Sequence, residues 1–82
     1  MIGLKYLNTM AKLILHNDSK NSYLKVKASL IKFCDHMPLQ AEQCTLIAHN
    51  NGKVTIKEGD FMELFEIKNE LERYDLKVEL IQ

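Results

Sequence analysis

The spacing of apolar positions switches repeatedly between a period near two and a period near 3.6, and each switch marks an element. Residues 11–16 (AKLILH) are apolar on both faces, with Leu13 and Leu15 on one and Ile14 on the other, as a central strand requires. The polar stretch from Asn17 to Ser22 is a loop that delivers a helix start, with Asn21 or Ser22 as N-cap. From Tyr23 a helical stripe runs through Val26, Leu30, Ile31 and Cys34. This helix is expected to end near His36–Met37, because the residue before Pro38 avoids the α region. Pro38 opens a second helix, where its missing N–H costs nothing, with Ala41, Cys44, Ile47 and Ala48 on its apolar side. Gly52 supplies a left-handed C-terminal cap.

Residues 53–58 (KVTIKE) alternate, turning Val54 and Ile56 inward as a half-buried strand. Gly59-Asp60 is a turn in which Asp60 caps a third helix, with Phe61, Leu64, Phe65 and Leu71 on the buried face and Tyr74 near its end. LKVELI (76–81) alternates again, with Leu76, Val78 and Leu80 inward. The order is β-α-α-β-α-β. One helix between the second and third strands implies a right-handed crossover that leaves them parallel. The first strand then lies between them, antiparallel to each. The expected fold is an α/β (α+β) sandwich, a three-stranded sheet covered on one face by three helices. Residues 1–10 read as a short extension and residues 11–82 as one domain.

Composition narrows the function. A chain of 82 residues forms one small domain, and 46% hydrophobic with 27% charged residues is ordinary globular composition. Eleven Lys+Arg offset eleven Asp+Glu, so the basic excess of a nucleic-acid binder is missing. No apolar run approaches the ~20 residues that span a bilayer. The opening MIGLKYLNTM is interrupted by Lys5 and Asn8 and makes a poor signal peptide. Two Cys without a secretory signal point to free thiols in a reducing compartment, and the cytoplasm is the expected location. Neither a nucleic acid nor a membrane is expected as a partner.

Candidate chemistry is sparse. Cys34, His36, Cys44 and His49 superficially offer four zinc ligands, but they lack the tight pairs of a zinc knuckle, and both Cys lie on apolar helical stripes. No metal or other cofactor is expected. There is no Gly-x-Ser-x-Gly elbow, Rossmann glycine pattern or P-loop. Glu70 and Glu72 read as a solvated helix face. No catalytic residue is assigned, and the chain is not expected to be an enzyme. What remains is Asn17-Asp18-Ser19 at the exit of the first strand and His49 at the end of the second helix. Brought to one rim, an amide, a carboxylate, a hydroxyl and an imidazole could bind an ammonium or a peptide terminus. Turn chemistry for Asn-Asp and a favourable helix-dipole position for His49 explain the same residues without a ligand.

From about Lys12 onward the chain resembles the ClpS family, adaptors of the Clp AAA+ protease. The resemblance rests on Leu13-Ile14-Leu15-His16-Asn17-Asp18, on Ala41 within QAEQC, and on Ala48-His49 followed by Gly52-Lys53. The separation of Asn17 from His49 (49 − 17 = 32 positions) matches the family pattern without a gap. The resemblance implies an adaptor that binds proteins with a large hydrophobic N-terminal residue and delivers them to a Clp unfoldase, docking on its N-terminal domain. It implies α-amino contacts from Asn17, Asp18 and His49, with Ser19 beside them where the family has a second acid. Asn21 falls where a Thr often frames the pocket, Tyr23 where a Met or aromatic residue gates it, and Val26, Thr45, Ala48 and Leu76 at pocket-wall positions. Thr45 replaces a larger apolar residue, which implies a wider and more polar wall.

Two other readings stay open on the sequence. A divergent member could dock on a Clp or other partner without binding N-degrons, with Tyr23 filling the pocket itself. The C-terminal domain of the bacterial ribosomal stalk protein shares the β-α-α-β-α-β order, but leaves the Asn-Asp and Ala-His-x-x-Gly-Lys features unexplained.

Overall fold

A computed structural model describes residues 10–82. Apart from Met10, the expected N-terminal extension lies outside the described residues. The elements are β1 (Met10–His16), α1 (Tyr23–Cys34), α2 (Pro38–Asn51), β2 (Lys53–Asp60), α3 (Phe61–Arg73) and β3 (Val78–Ile81). The sheet order is β2-β1-β3, and β1 runs antiparallel to both neighbours, the predicted arrangement.

The central strand owes its place to its composition. Leu13 and Leu15 turn toward the helices, opposite Leu80 and Val78 of β3. Ile14 faces the other way and is also buried, between the Lys12–Glu58 ion pair at 3.5 Å and His16, whose Nε2 lies 2.8 Å from Glu79 Oε1. A register shift between Leu13 and Ile14 sets Leu13 opposite Lys57 and Ile14 opposite Thr55, a bulge that leaves Ile56 out of the pairing. Ile56 is buried in the core, and its carbonyl accepts a 2.7 Å hydrogen bond from His36 Nε2.

That bond accounts for an early helix end. The sequence places the end of α1 near His36–Met37, yet α1 stops at Cys34. Asp35 takes a left-handed conformation (φ 60°), and the His36 N–H closes back on the Leu30 carbonyl at 3.3 Å. Leaving the helix there is what lets the imidazole turn inward to β2. Of the two candidate N-caps, Ser22 caps α1 by accepting from Lys25 N at 3.1 Å. Asp60 caps α3 as predicted, accepting from Met62 and Glu63 N–H. Gly52 (φ 94°) ends α2 with its N–H on the Ala48 carbonyl.

The helices bury narrower stripes than the sequence suggests. Leu30, Leu64, Leu71 and Cys34 are fully enclosed, while Ile31, Ile47, Phe65 and Tyr74 are exposed. In each of the pairs Leu30/Ile31, Ala48/Ile47 and Leu64/Phe65 the neighbours sit about 100° apart on the helix, and one of them takes the core-facing direction. On α2 the buried residues are Ala41, Thr45 and Ala48, a face of small side chains. Phe65 stacks on Phe61, and Tyr74 packs its ring against Phe33. β2 continues two residues beyond the expected stretch, and β3 begins at Val78, with buried Leu76 in the preceding turn.

Removing a fully enclosed leucine combines lost transfer energy with a cavity. Leu64→Ala is therefore expected to lower unfolding free energy by about 2–5 kcal/mol, read as a reduced urea midpoint at unchanged slope. Burial pushes the Cys34 thiol up to about 11, against the pull of Lys57 and with a further push from Cys44. Since the thiolate is the reactive form, Cys34 is expected to resist iodoacetamide at neutral pH until the protein unfolds, as peptide mass mapping would show.

Candidate functional site

Two backbone hydrogen bonds gather the site at the exit of β1. The His16 N–H donates to the Lys77 carbonyl at 2.9 Å, holding the turn that precedes β3. The Asn17 N–H donates to the Gly52 carbonyl at 2.8 Å, holding the end of α2. Asn17 and His49, far apart in sequence, thereby share one rim, with Leu76 on the other side of the strand. The turn carrying Leu76 is tight: Asp75 is left-handed (φ 66°), and the Leu76 N–H returns to the Leu71 carbonyl at 3.1 Å.

A cavity of about 320 Å³ opens here. Leu15, Val26, Thr45, Ala48 and Leu76 form its apolar walls, contributed by β1, α1, α2 and the turn before β3. Asn17, Asp18, Ser19, Asn21 and His49 line it with polar groups, and Tyr23 and His16 complete the lining. All ten residues that the family resemblance assigns to the binding site thus border one space. Leu15 and His16 were missed as lining residues. Strand alternation already sent Leu15 to the helical side, and its position two residues before Asn17 was the signal that could have placed it here.

The polar groups divide into two kinds. Asp18 is committed to its own loop: Oδ1 accepts from the backbone N–H groups of Lys20 (2.8 Å) and Asn21 (3.0 Å), and both carboxylate oxygens accept from Asn21 Nδ2. Asn21 Nδ2 also donates to the Asp75 carbonyl at 2.9 Å, tying this loop to the turn that carries Leu76. Asn21 thus lines the cavity and also ties the loop to the turn. Asn21 Oδ1 is left buried with no hydrogen-bond partner. Among the described residues, by contrast, the side chains of Asn17, Ser19 and His49 make no hydrogen bond, and all three are exposed.

Partial burial pushes the Asp18 carboxyl up, but the Asn21 and Lys20 hydrogen bonds and the Lys20 charge outweigh it, so its pKa falls below the ordinary carboxylate value. Tyr23 stands partly exposed at the mouth with its phenol against the Glu42 carboxylate; desolvation, then the Glu42 charge and hydrogen bond, raise its pKa. The ring therefore borders the cavity without filling it. Thr45 Oγ1 donates to the Ala41 carbonyl at 2.7 Å, so the expected polar wall offers no free hydroxyl proton. The Cys34, His36, Cys44 and His49 set is dispersed, and among the described residues no three His, Cys, Asp or Glu side chains gather as metal ligands. No described helix is long and apolar enough to cross a membrane.

An apolar cavity rimmed by unpaired polar groups, on a three-helix, three-strand sandwich, defines a small binding module. The sequence matches the family described as "ATP-dependent Clp protease adaptor protein ClpS" over residues 7–79 of 82, and the chain belongs to that family. It is a Clp protease adaptor; members of the family regulate the protease and are not themselves enzymes. Among solved structures it is similar to Agrobacterium tumefaciens ClpS2 bound to L-phenylalaninamide, with a TM-score of 0.73 and 14% identity, covering 88% of this chain and 94% of that one. That likeness shows the same fold. No curated protein gave a significant match.

Asp18→Ala removes the acceptor that orders the loop and is expected to cost about 1–3 kcal/mol of stability at neutral pH. Because the folded-state pKa of Asp18 is lowered, its contribution is complete above the ordinary carboxylate value and is lost as pH falls through the lowered one. Urea unfolding of wild type and Asp18→Ala should therefore differ at neutral pH and converge in acid.

Proposed function

We propose that the cavity binds the first residue of proteins with a large hydrophobic N-terminus, and that the chain delivers them to a Clp AAA+ unfoldase by docking on its N-terminal domain. The observation that carries this reading is the pairing of an apolar cavity with unpaired polar side chains, Asn17 and His49, on one rim. A free N-terminal residue presents the complementary pair, an apolar side chain beside an ammonium with several donors. Burying a Leu- or Phe-sized side chain contributes about 1.5–3 kcal/mol. Charge-assisted hydrogen bonds from the ammonium to Asn17 Oδ1 and a neutral His49 nitrogen add to it. The Asp18 carboxylate, held ionised by its loop, supplies the negative charge nearby. The ClpS2 neighbour supports the same ligand class, since L-phenylalaninamide joins a free α-amino group to an aromatic side chain. Two free thiols, Cys34 and Cys44, suit a cytoplasmic adaptor.

Ser19 keeps a second reading in play: its exposed hydroxyl brings no charge to the rim, as a domain that only docks on a Clp partner would tolerate. Fluorescence anisotropy separates the two. Labelled peptides beginning Leu, Phe or Tyr are expected to bind at micromolar affinity, about −8 kcal/mol. Acetylated twins should not bind, and Asn17→Ala and His49→Ala should each weaken binding by about 1–3 kcal/mol. A folded protein that ignores every free-amine peptide at high concentration is a docking module instead.

A further inference from the structure

We infer that the outer face of the α1/α2 pair is a self-association surface, which seats a second copy of this chain about a two-fold axis running along the helices. Such pairing does not depend on what the cavity binds.

The two helices carry the same pattern. Leu24, Lys27 and Ile31 stand three and four residues apart on α1, and Leu39, Glu42 and Leu46 keep the same spacing on α2. Residues so spaced form one line along a helix. In both rows an aliphatic side chain precedes and follows a single charge, and the two charges are opposite in sign. All four aliphatic residues are exposed, Leu24 by 73% and Leu39 by 67%. Core packing leaves the rows outside, since α1 buries Ser29, Leu30 and Cys34 and α2 buries Ala41, Thr45 and Ala48.

The helices pack side by side and are joined only by Asp35, His36 and Met37, a connection short enough to make them antiparallel neighbours. Lys27 Nζ lies 3.9 Å from Glu42 Oε2 and sets their register. Leu24 then stands level with Leu46, and Ile31 level with Leu39. Tyr23 and Thr45, the chain neighbours of Leu24 and Leu46, line the cavity, so this end of the face borders its mouth. Two aliphatic pairs thus flank one ion pair on a single face. Clustered aliphatic surface of this kind is favourable to cover.

Charge decides the occupant. Rotation about an axis parallel to the helices lays the α1 row of each copy on the α2 row of the other. Leu24 then meets Leu46, Lys27 meets Glu42 and Ile31 meets Leu39, each contact made twice. Both charges gain a second partner of opposite sign. Rotation about an axis across the helices would set Lys27 on Lys27 and Glu42 on Glu42, and like charges brought together at an interface oppose it. The face is complementary to itself in one orientation, as a two-fold interface requires.

Sedimentation velocity of the full chain, from low micromolar to submillimolar concentration, tests this. The average mass is expected to rise with concentration from 9.5 kDa toward twice that value. Leu24→Glu and Leu46→Glu, at exposed positions, should each weaken association by about tenfold or more. Lys27→Glu and Glu42→Lys should each stay monomeric alone, because one then meets itself acid on acid and the other base on base. Mixed in equal amounts they should form a heterodimer, two acids facing two bases. Circular dichroism checks that each variant is folded, and recovery on mixing is an outcome that a folding defect cannot produce. A wild type that keeps the monomer mass at the highest concentration overturns the inference. So does a dimer that survives both leucine substitutions, or a mixture no more associated than its components.

Discussion

The exit of β1 is fixed by two backbone hydrogen bonds, His16 N–H to the Lys77 carbonyl and Asn17 N–H to the Gly52 carbonyl, and the rest of the site depends on them. They can form only because β1 lies in the middle of the sheet, with β2 and the end of α2 on one side and β3 with its preceding turn on the other. That central place follows in turn from Leu13, Ile14 and Leu15, which make the strand apolar on both faces. Three apolar residues thus determine where an amide and an imidazole meet. The left-handed Gly52 completes the join, since its φ of 94° lets the chain leave α2 and enter β2 immediately.

Within the site, some polar groups are spent on the loop and others are left unpaired. Asp18 and Asn21 spend their hydrogen bonds on each other, on Lys20 and on the Asp75 carbonyl, and so lock the loop against the turn that holds Leu76. Asn17 and His49 remain unpaired within the described residues. This arrangement sets the unpaired groups beside a hydrogen-bonded loop. It also keeps a carboxylate ionised beside them.

Family membership with only 14% identity to a similar solved structure fits the kind of constraint at work. Hydrophobic periodicity, capping residues and a turn glycine specify this sandwich, and many side chains satisfy them equally well. In this chain Thr45 and Ala48 of α2 and Tyr23 of α1 are among the residues that line the cavity.

The order of elements, the antiparallel placement of β1, the caps Asp60 and Gly52, the narrowing of the α1 cap to Asn21 or Ser22, and ten of the twelve residues bordering the cavity were readable from the chain, the last through resemblance to a family pattern. These features rest on local periodicity, on turn stereochemistry and on spacing, which one sequence carries. Tertiary structure alone decided that α1 stops at Cys34, because the reason is a hydrogen bond from His36 to Ile56 on a bulged strand 20 residues away. It alone chose Leu30 over Ile31 and Leu64 over Phe65 for the core, since a helical stripe is ambiguous by one residue until a partner surface fixes its rotation. It also decided that the Thr45 hydroxyl proton goes to the Ala41 carbonyl and that Asn21, while lining the cavity, donates to the Asp75 carbonyl. Where a hydroxyl or amide spends its donors depends on which carbonyls the fold brings within reach, and separation along the chain does not contain that distance.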